Sequence, residues 1–282
     1  MIRQKSFIDK SAKLYLVATP IGNLDDMTFR AIETLKNVSV CFAEDTRVTK
    51  VLFDHFQIKT RLECYQEFNK EKATEDILNY LSQGIDVALV SDAGNPIISD
   101  PGFLVAKEAI TRGYSVIPIP GVSASLTALI ASKIPANCFM FYGFLDSKKT
   151  KRIKELEDLK LESSTLIFYE APHRIKDTLT DMLEVLGDRE ICLARELTKK
   201  FEEFLRGPIS EILEVCDTLK GEMVIVVSGA SDEIQNELDP IEQIDELIIA
   251  GMNKNNAIKM VAKRCNLDKQ ELYKDYINKK AK

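Results

Sequence analysis

This chain reads as an α/β protein, with two α/β domains followed by a small helical unit. Three observations predict that class. Short apolar runs alternate with amphipathic stretches through the first 119 residues, the pattern of parallel strands joined by crossover helices. The texture changes at Pro118-Ile119-Pro120-Gly121, where the alternation becomes less regular. The charge then changes sign near the end. Residues 231–250 hold seven acids and no base, and residues 251–282 hold nine bases and three acids. At about 150 residues per domain, a chain of 282 has room for two. The expected division is 1–119, 120–230 and 231–282.

In order, residues 14–19 (LYLVAT) form an apolar strand that ends in a Pro-x-Gly loop. Asp26 is placed to cap the next helix, whose Phe29, Ile32 and Leu35 are spaced for one apolar face. Residues 38–43 give a second strand, running into Glu44-Asp45-Thr46-Arg47. Residues 74–81 are amphipathic and stop before Gly84, a normal helix end. Strands at 86–90 and 114–119 flank a helix over 103–112.

Past the change in texture come a small-residue helix (123–132), an aromatic strand (138–144) and a helix opened by five bases in 148–154. Strands follow at 165–169, 190–195 and 223–228, with a weaker one at 201–206, and a helix over 174–186. So few clean β-α-β repeats predict a mixed sheet. Helices over 241–249, 255–265 and 268–277, separated by Gly251 and Asn266-Leu267-Asp268, are spaced like a helix-turn-helix.

Composition excludes several classes. The chain is 45% hydrophobic and 29% charged, which is ordinary for a globular protein. No apolar run reaches the ~18 residues of a membrane span, and the first residues lack a signal-peptide core, so a soluble cytoplasmic protein with no membrane partner is expected. The six cysteines stand at least 23 positions apart and there are two histidines. No metal site or disulfide framework is expected from such spacing. Neither GxGxxG nor GxxxxGK[ST] occurs, which removes the main support for dinucleotide and P-loop readings.

In a parallel sheet, ligands sit outside the carboxyl ends of the strands. Three loops there draw notice. Thr19-Pro20-Ile21-Gly22-Asn23 follows the first strand. Residues 91–102 (SDAGNPIISDPG) are longer than a strand-to-helix turn needs; glycine permits close backbone approach to a ligand, while Asp100 is also placed to cap the next helix. Glu44, Asp45 and Arg47, then Glu170, His173 and Arg174, form polar clusters after strands, and Arg195-Glu196 forms a third. For any one such charge, a surface ion pair is the commoner fate.

The strings LYLVATPIGNLDD, FAEDTR, ALVSDAGNPIISDPG, IPGVSASLTALIAS and IFYEAPHR together resemble the tetrapyrrole methylase superfamily. Within it they are similar to the branch that modifies small-subunit ribosomal RNA, over residues 14–229, and the helical tail is similar to that branch's C-terminal extension. The resemblance implies two α/β domains with S-adenosyl-L-methionine in the cleft between them, in a homodimer. It implies 2′-O-methylation of a cytidine of small-subunit (16S) ribosomal RNA, whether naked or in the assembled 30S subunit. Carried over by position, it puts the cofactor on Pro20, Ile21, Asp92, Gly94, Asn95, Ile97, Ile98, Ser123, Ala124 and Tyr142. The superfamily's usual Gly-Asp-Pro reads Gly94-Asn95-Pro96 here.

Ribose hydroxyl attack is helped by a nearby proton acceptor, worth typically 10²–10⁴-fold. Glu44, Asp45, Glu170 and His173 are the candidates, unranked. Arg47, Arg174 and Arg195 suit phosphate, since guanidinium pairs well with it. Lys148, Lys149, Lys151 and Arg152, with Lys259, Lys263 and Arg264 of the tail, offer local basic faces in a chain of net charge −6. Two other readings stand beside this one: a corrinoid or porphyrin methylase, and an RNA-binding assembly factor without turnover.

Overall fold

The computed structural model describes residues 1–6, 8, 11–231, 239–249, 251–265 and 267–280. Asp232, Glu233 and Glu237 of the acidic stretch, Asn266 and Lys282 lie outside them, as do the side chains of Arg264 and Lys280.

Five short strands make the first sheet: β1 (Lys13–Val17), β2 (Val40–Ala43), β3 (Arg61–Cys64), β4 (Val87–Val90) and β5 (Ser115–Ile119), in the order β3-β2-β4-β1-β5. All pairs are parallel, and Val17 lies level with Val90 and Ile119. The loops that follow β1, β4 and β5 therefore leave from one edge at one height. Helices cover both faces, so β2 and β4 are buried along their whole length. Helices α1 (Phe29–Asn37) and α2 (Thr46–His55) pack on one face through Ala31, Leu35, Leu52 and Phe53. Helices α3 (Lys70–Ser82) and α4 (Phe103–Thr111) pack on the other through Ile77, Leu81, Val105 and Ala109.

The elements expected here are present, with corrections. Thr28 caps α1, accepting the Ala31 amide at 3.1 Å, while Asp26 lies in a preceding 3-10 turn. Phe29 is 92% exposed, and the buried face of α1 is carried by Ala31 and Leu35. Helix α2 and strand β3 were not anticipated. The sequence of α2 (TRVTKVLFDH) is rich in β-branched and charged residues, and β3 is a polar edge strand.

The second sheet is mixed, as expected. Its strands are β6 (Phe139–Phe144), β7 (Thr165–Glu170), β8 (Glu190–Arg195), β9 (Glu203–Pro208) and β10 (Met223–Val227), in the order β6-β7-β10-β8-β9. Strand β6 is parallel to β7, and the remaining pairs are antiparallel. Helices α6 (Lys149–Asp158), α7 (Ile175–Leu186) and α8 (Ile209–Val215) cover one face. Helix α5 (Ala124–Ala131), which follows β5, crosses over and packs Ala128 and Leu129 on the other.

Helices α9 (Pro240–Ile249), α10 (Lys254–Arg264) and α11 (Lys269–Lys280) enclose their own small core of Ile244, Ile258, Val261 and Leu272. The Tyr276 hydroxyl donates to Asp245 at 2.7 Å, tying the last helix to the first. Among the described residues, no helix is long and apolar enough to cross a membrane.

Candidate functional site

A cavity of about 350 Å³ lies where the carboxyl edge of the first sheet meets the α5 face of the second. The loops that build it are tied to one another. Thr19 and Gly94 exchange two backbone hydrogen bonds, Thr19 Oγ1 donates to the Ser91 carbonyl at 3.0 Å, and Asn95 Nδ2 donates to the Val122 carbonyl at 3.1 Å. The loops after β1, β4 and β5 thus form one unit. Gly94 sits at φ +78°, a left-handed conformation that glycine adopts without a side-chain penalty. Gly22 reaches across to the second half, where a Cβ would come within 2.6 Å of Lys199 Cγ.

Four non-glycine residues around this cavity also hold positive φ: Ile97 (+80°), Ser99 (+64°), Glu196 (+49°) and Thr198 (+66°). For a β-branched residue such as Ile97 that conformation is a real outlier, and such strain clusters at functional sites. Apolar walls come from Ile21, Ile98, Phe144, Tyr169, Leu197 and Val224. Lys199 is held by Glu196 at 3.1 Å and Glu222 at 3.6 Å.

The electrostatics on the first-sheet side are acidic. Burial, then the nearby Asp92 charge, pushes the Asp100 carboxyl up to about 6. Glu44 is raised by burial and by Asp100 and Asp92. Asp45 goes the other way, to about 2, because the Arg47 side chain and amide donate to it. A half-buried acid that is reluctant to ionise gains from a cationic ligand.

Of the residues carried over for the cofactor, Ile21, Gly94, Asn95, Ile98, Ser123 and Ala124 line the cavity. Ile97 lies within that loop but is not a lining residue. Pro20 and Asp92 line a neighbouring cavity. Tyr142 lies on the opposite face of the sheet, its ring 5.5 Å from Phe168 in the core under α6 and α7. The bulge between Phe141 and Gly143 sets this side-chain direction, so Phe144 and Tyr169 take the wall instead.

Of the proton-acceptor candidates, Glu170 alone lines the cavity, and each of its oxygens already accepts a hydrogen bond. Oε1 accepts the Ala171 amide at 2.8 Å, Oε2 accepts the Thr178 hydroxyl at 2.6 Å, and Arg174 Nε stands 3.3 Å away. These bonds tie it to the turn after β7 and to α7. Glu44 and Asp45 follow β2 beside Asp92, and His173 is exposed at the start of α7. Asp100 does not cap α4: Gly102 does, without a side-chain bond.

The expected phosphate ligands divide. Arg47, Lys148, Lys149, Lys151, Lys259 and Lys263 are exposed. Arg152 is not available, because its guanidinium is buried on Asp181, with Nε at 2.7 Å and Nη2 at 2.6 Å. Arg174 spends its guanidinium on the Leu145 and Asp146 carbonyls, and Arg195 on Glu203 at 2.5 Å. The cavity residues absent from the expected site include Ser99, Asp100, Phe144, Tyr169, Leu197, Lys199, Glu222, Met223 and Val224. Asp100 and Ser99 were legible in the long loop. Met223 was not, because β10 is antiparallel and brings its first residue, not its last, to the edge.

The comparisons with known proteins agree with this geometry. Residues 13–213 match the family model of tetrapyrrole (corrin/porphyrin) methylases. A ribosomal RNA small subunit methyltransferase I of Bacillus subtilis is 50% identical over 97% of this chain and 98% of its own length. One of Halalkalibacterium halodurans is 48% identical over 95% of this chain and 96% of its own. Among solved structures, diphthine synthase matches with TM-score 0.60 at 12% identity, over 80% of this chain and 94% of that one, which is likeness of fold. With the family model matched over residues 13–213 and relatives 48–50% identical over nearly the whole chain, the chain belongs to the tetrapyrrole methylase family.

Proposed function

We propose that this protein methylates the 2′-oxygen of a cytidine in small-subunit (16S) ribosomal RNA, using S-adenosyl-L-methionine. The observation that carries the reading is the cavity between the two sheets, with the half-buried acid Asp100 in its wall. Its surroundings fit that cofactor: an acid for the positive end, apolar side chains (Ile21, Leu197, Val224) for the adenine ring, and a glycine turn that admits close backbone approach. Bound there, the cofactor supplies a methyl group on a sulfonium, open to in-line attack by an oxygen nucleophile.

The chain's own part is positioning. The tied loops hold the cavity in one shape, which is where much of the rate of a displacement comes from. Gly94, Asn95, Ser123 and Ala124 line the cofactor side, and Asp100 offsets positive charge. Glu44 stands in the same acidic cluster and, with its raised proton affinity, suits taking the hydroxyl proton as the oxygen attacks. Lys148, Lys151, Lys259 and Lys263 offer exposed positive charge to the RNA backbone. The two relatives at 48–50% identity bear the name of a ribosomal RNA methyltransferase, which supports RNA over a porphyrinoid substrate.

As parts of the same proposal, residues 1–119 and 120–230 act as the two cofactor-holding domains and 231–282 as an extension for RNA. The enzyme works as a cytoplasmic homodimer on the assembled 30S subunit. The test is transfer of labelled methyl to small subunits from cells lacking this protein. Label in RNA is expected, and cofactor binding without label would overturn the reading.

A further inference from the structure

A second cavity, of about 390 Å³, opens beside the first on the α2 side. Ile21 and Ala93 line both, so the two spaces meet at the loops after β1 and β4. Its walls are of a different kind. Leu24, Val48, Val51 and Leu52 make a broad apolar side, and Val48 and Val51 remain 48% and 67% exposed. The polar end holds Thr19, Ser91 and Asp92. Asp92 Oδ1 accepts the Asp45 amide at 2.9 Å, which fixes the carboxyl group while leaving lone pairs for another donor. At the rim, the Arg47 side chain is 90% exposed and pairs with Asp45. Asp45 takes Nε and Nη2 of that guanidinium, which leaves Nη1 of the exposed side chain to reach a phosphate.

We propose that this cavity seats the pyrimidine base of the target nucleotide, with Asp92 accepting from its exocyclic amine and Arg47 holding the adjoining phosphate. The inference rests on the RNA-methyltransferase reading above. A base needs an apolar slot for its faces and a polar group for its edge, and the cavity offers both. Cytosine presents an amine donor where uracil presents a carbonyl. A fixed carboxylate accepts from the first and repels the second. A base seated here puts its ribose at the Ile21–Ala93 boundary, against the cofactor cavity. Asp92 is then a specificity residue for the RNA and not a cofactor ligand.

Two variants test this, each assayed for methyl transfer to reconstituted small subunits carrying cytidine or uridine at the methylated position. In Asp92→Asn the side-chain oxygen still accepts the Asp45 amide, so the NH₂ faces the base and favours a carbonyl. The expected result is a loss of roughly 10- to 100-fold in the preference for cytidine over uridine, with a much smaller change in S-adenosyl-L-methionine affinity by calorimetry at pH 8, where Asp100 is ionised with or without the Asp92 charge. Val51→Trp fills the apolar side, and should raise KM for the subunit or lower kcat while also leaving cofactor affinity unchanged. Retained cytidine preference in Asp92→Asn, or a loss of cofactor affinity at pH 8 as large as the expected loss of preference, overturns the proposal, as does wild-type kcat/KM in Val51→Trp. If the wild-type protein labels no RNA at all, the functional reading falls first and this inference with it.

Discussion

Thr19 and Gly94 exchange both of their backbone hydrogen bonds, at 2.8 and 3.0 Å, in an antiparallel bridge outside a sheet whose strands are all parallel. The bridge joins the loop after β1 to the loop after its neighbour β4, and so holds Gly94 in the cavity wall.

The bridge depends on Gly94 holding φ +78°. An alanine there has room, since its Cβ would stand 3.6 Å from Ile21 Cγ2. It still incurs the left-handed penalty of about 1–2 kcal/mol. Gly94→Ala should lower stability by about that amount in chemical denaturation and weaken cofactor binding about tenfold. Calorimetric titration measures the second effect; wild-type affinity would mean the loop does not hold the cofactor.

Asp100 sets a pH dependence. Its folded value of about 6 lies above the ordinary 3.8, so between those values the folded protein keeps a proton that the unfolded chain has released. Stability therefore falls as pH rises from about 4 to about 6, and Glu44 adds in the same sense. A cationic cofactor favours the ionised acid, so its affinity should rise through pH ~6 and level off above. Asp100→Asn should bind more weakly at pH 8, with a flat profile between pH 5 and 8, and should lose part of the stability decline. Titrations at several pH values check the binding profile, and melting curves check the stability.

The Arg152–Asp181 pair is a separate matter of stability. Both side chains are buried, and Lys149 stands 3.4 Å from the same carboxyl. Asp181→Ala leaves a buried guanidinium uncompensated, which typically costs about 3–5 kcal/mol. Urea denaturation should show a lower midpoint at unchanged slope. Lys149→Ala, at the exposed side, should cost under about 1 kcal/mol.

This pair also marks where the sequence was legible and where it was not. Five bases in 148–154 read as one RNA-facing patch, yet the helical period turns Arg152 inward beside Leu156 while Lys151 stays out. Strands with apolar runs, such as β4 and β10, were evident because burial on both faces demands such runs. Helix α2 and strand β3 were missed because charged and β-branched residues hide a helix, and an edge strand needs no apolar run. In the site, the loops after parallel strands were found by rule. The Tyr142 bulge and the antiparallel entry of Met223 required the sheet itself.

If the exposed lysines meet RNA, Lys259→Ala with Lys263→Ala should reduce affinity for small subunits and flatten its salt dependence. Each lost phosphate contact lowers the slope of log K against log salt by about 0.7–0.9. The pair should leave cofactor affinity alone. Filter binding across 50–300 mM salt (roughly the range in which counterion release dominates) gives the slope, and an unaltered slope would remove these residues from the interface.

The most direct measurement is nucleoside analysis of small-subunit RNA after incubation with labelled S-adenosyl-L-methionine and this protein, using subunits from cells that lack it. The account predicts label in 2′-O-methylcytidine, abolished or strongly reduced by Asp100→Asn at pH 8. Label in a base-methylated nucleoside, or none in RNA while the cofactor binds, would contradict it.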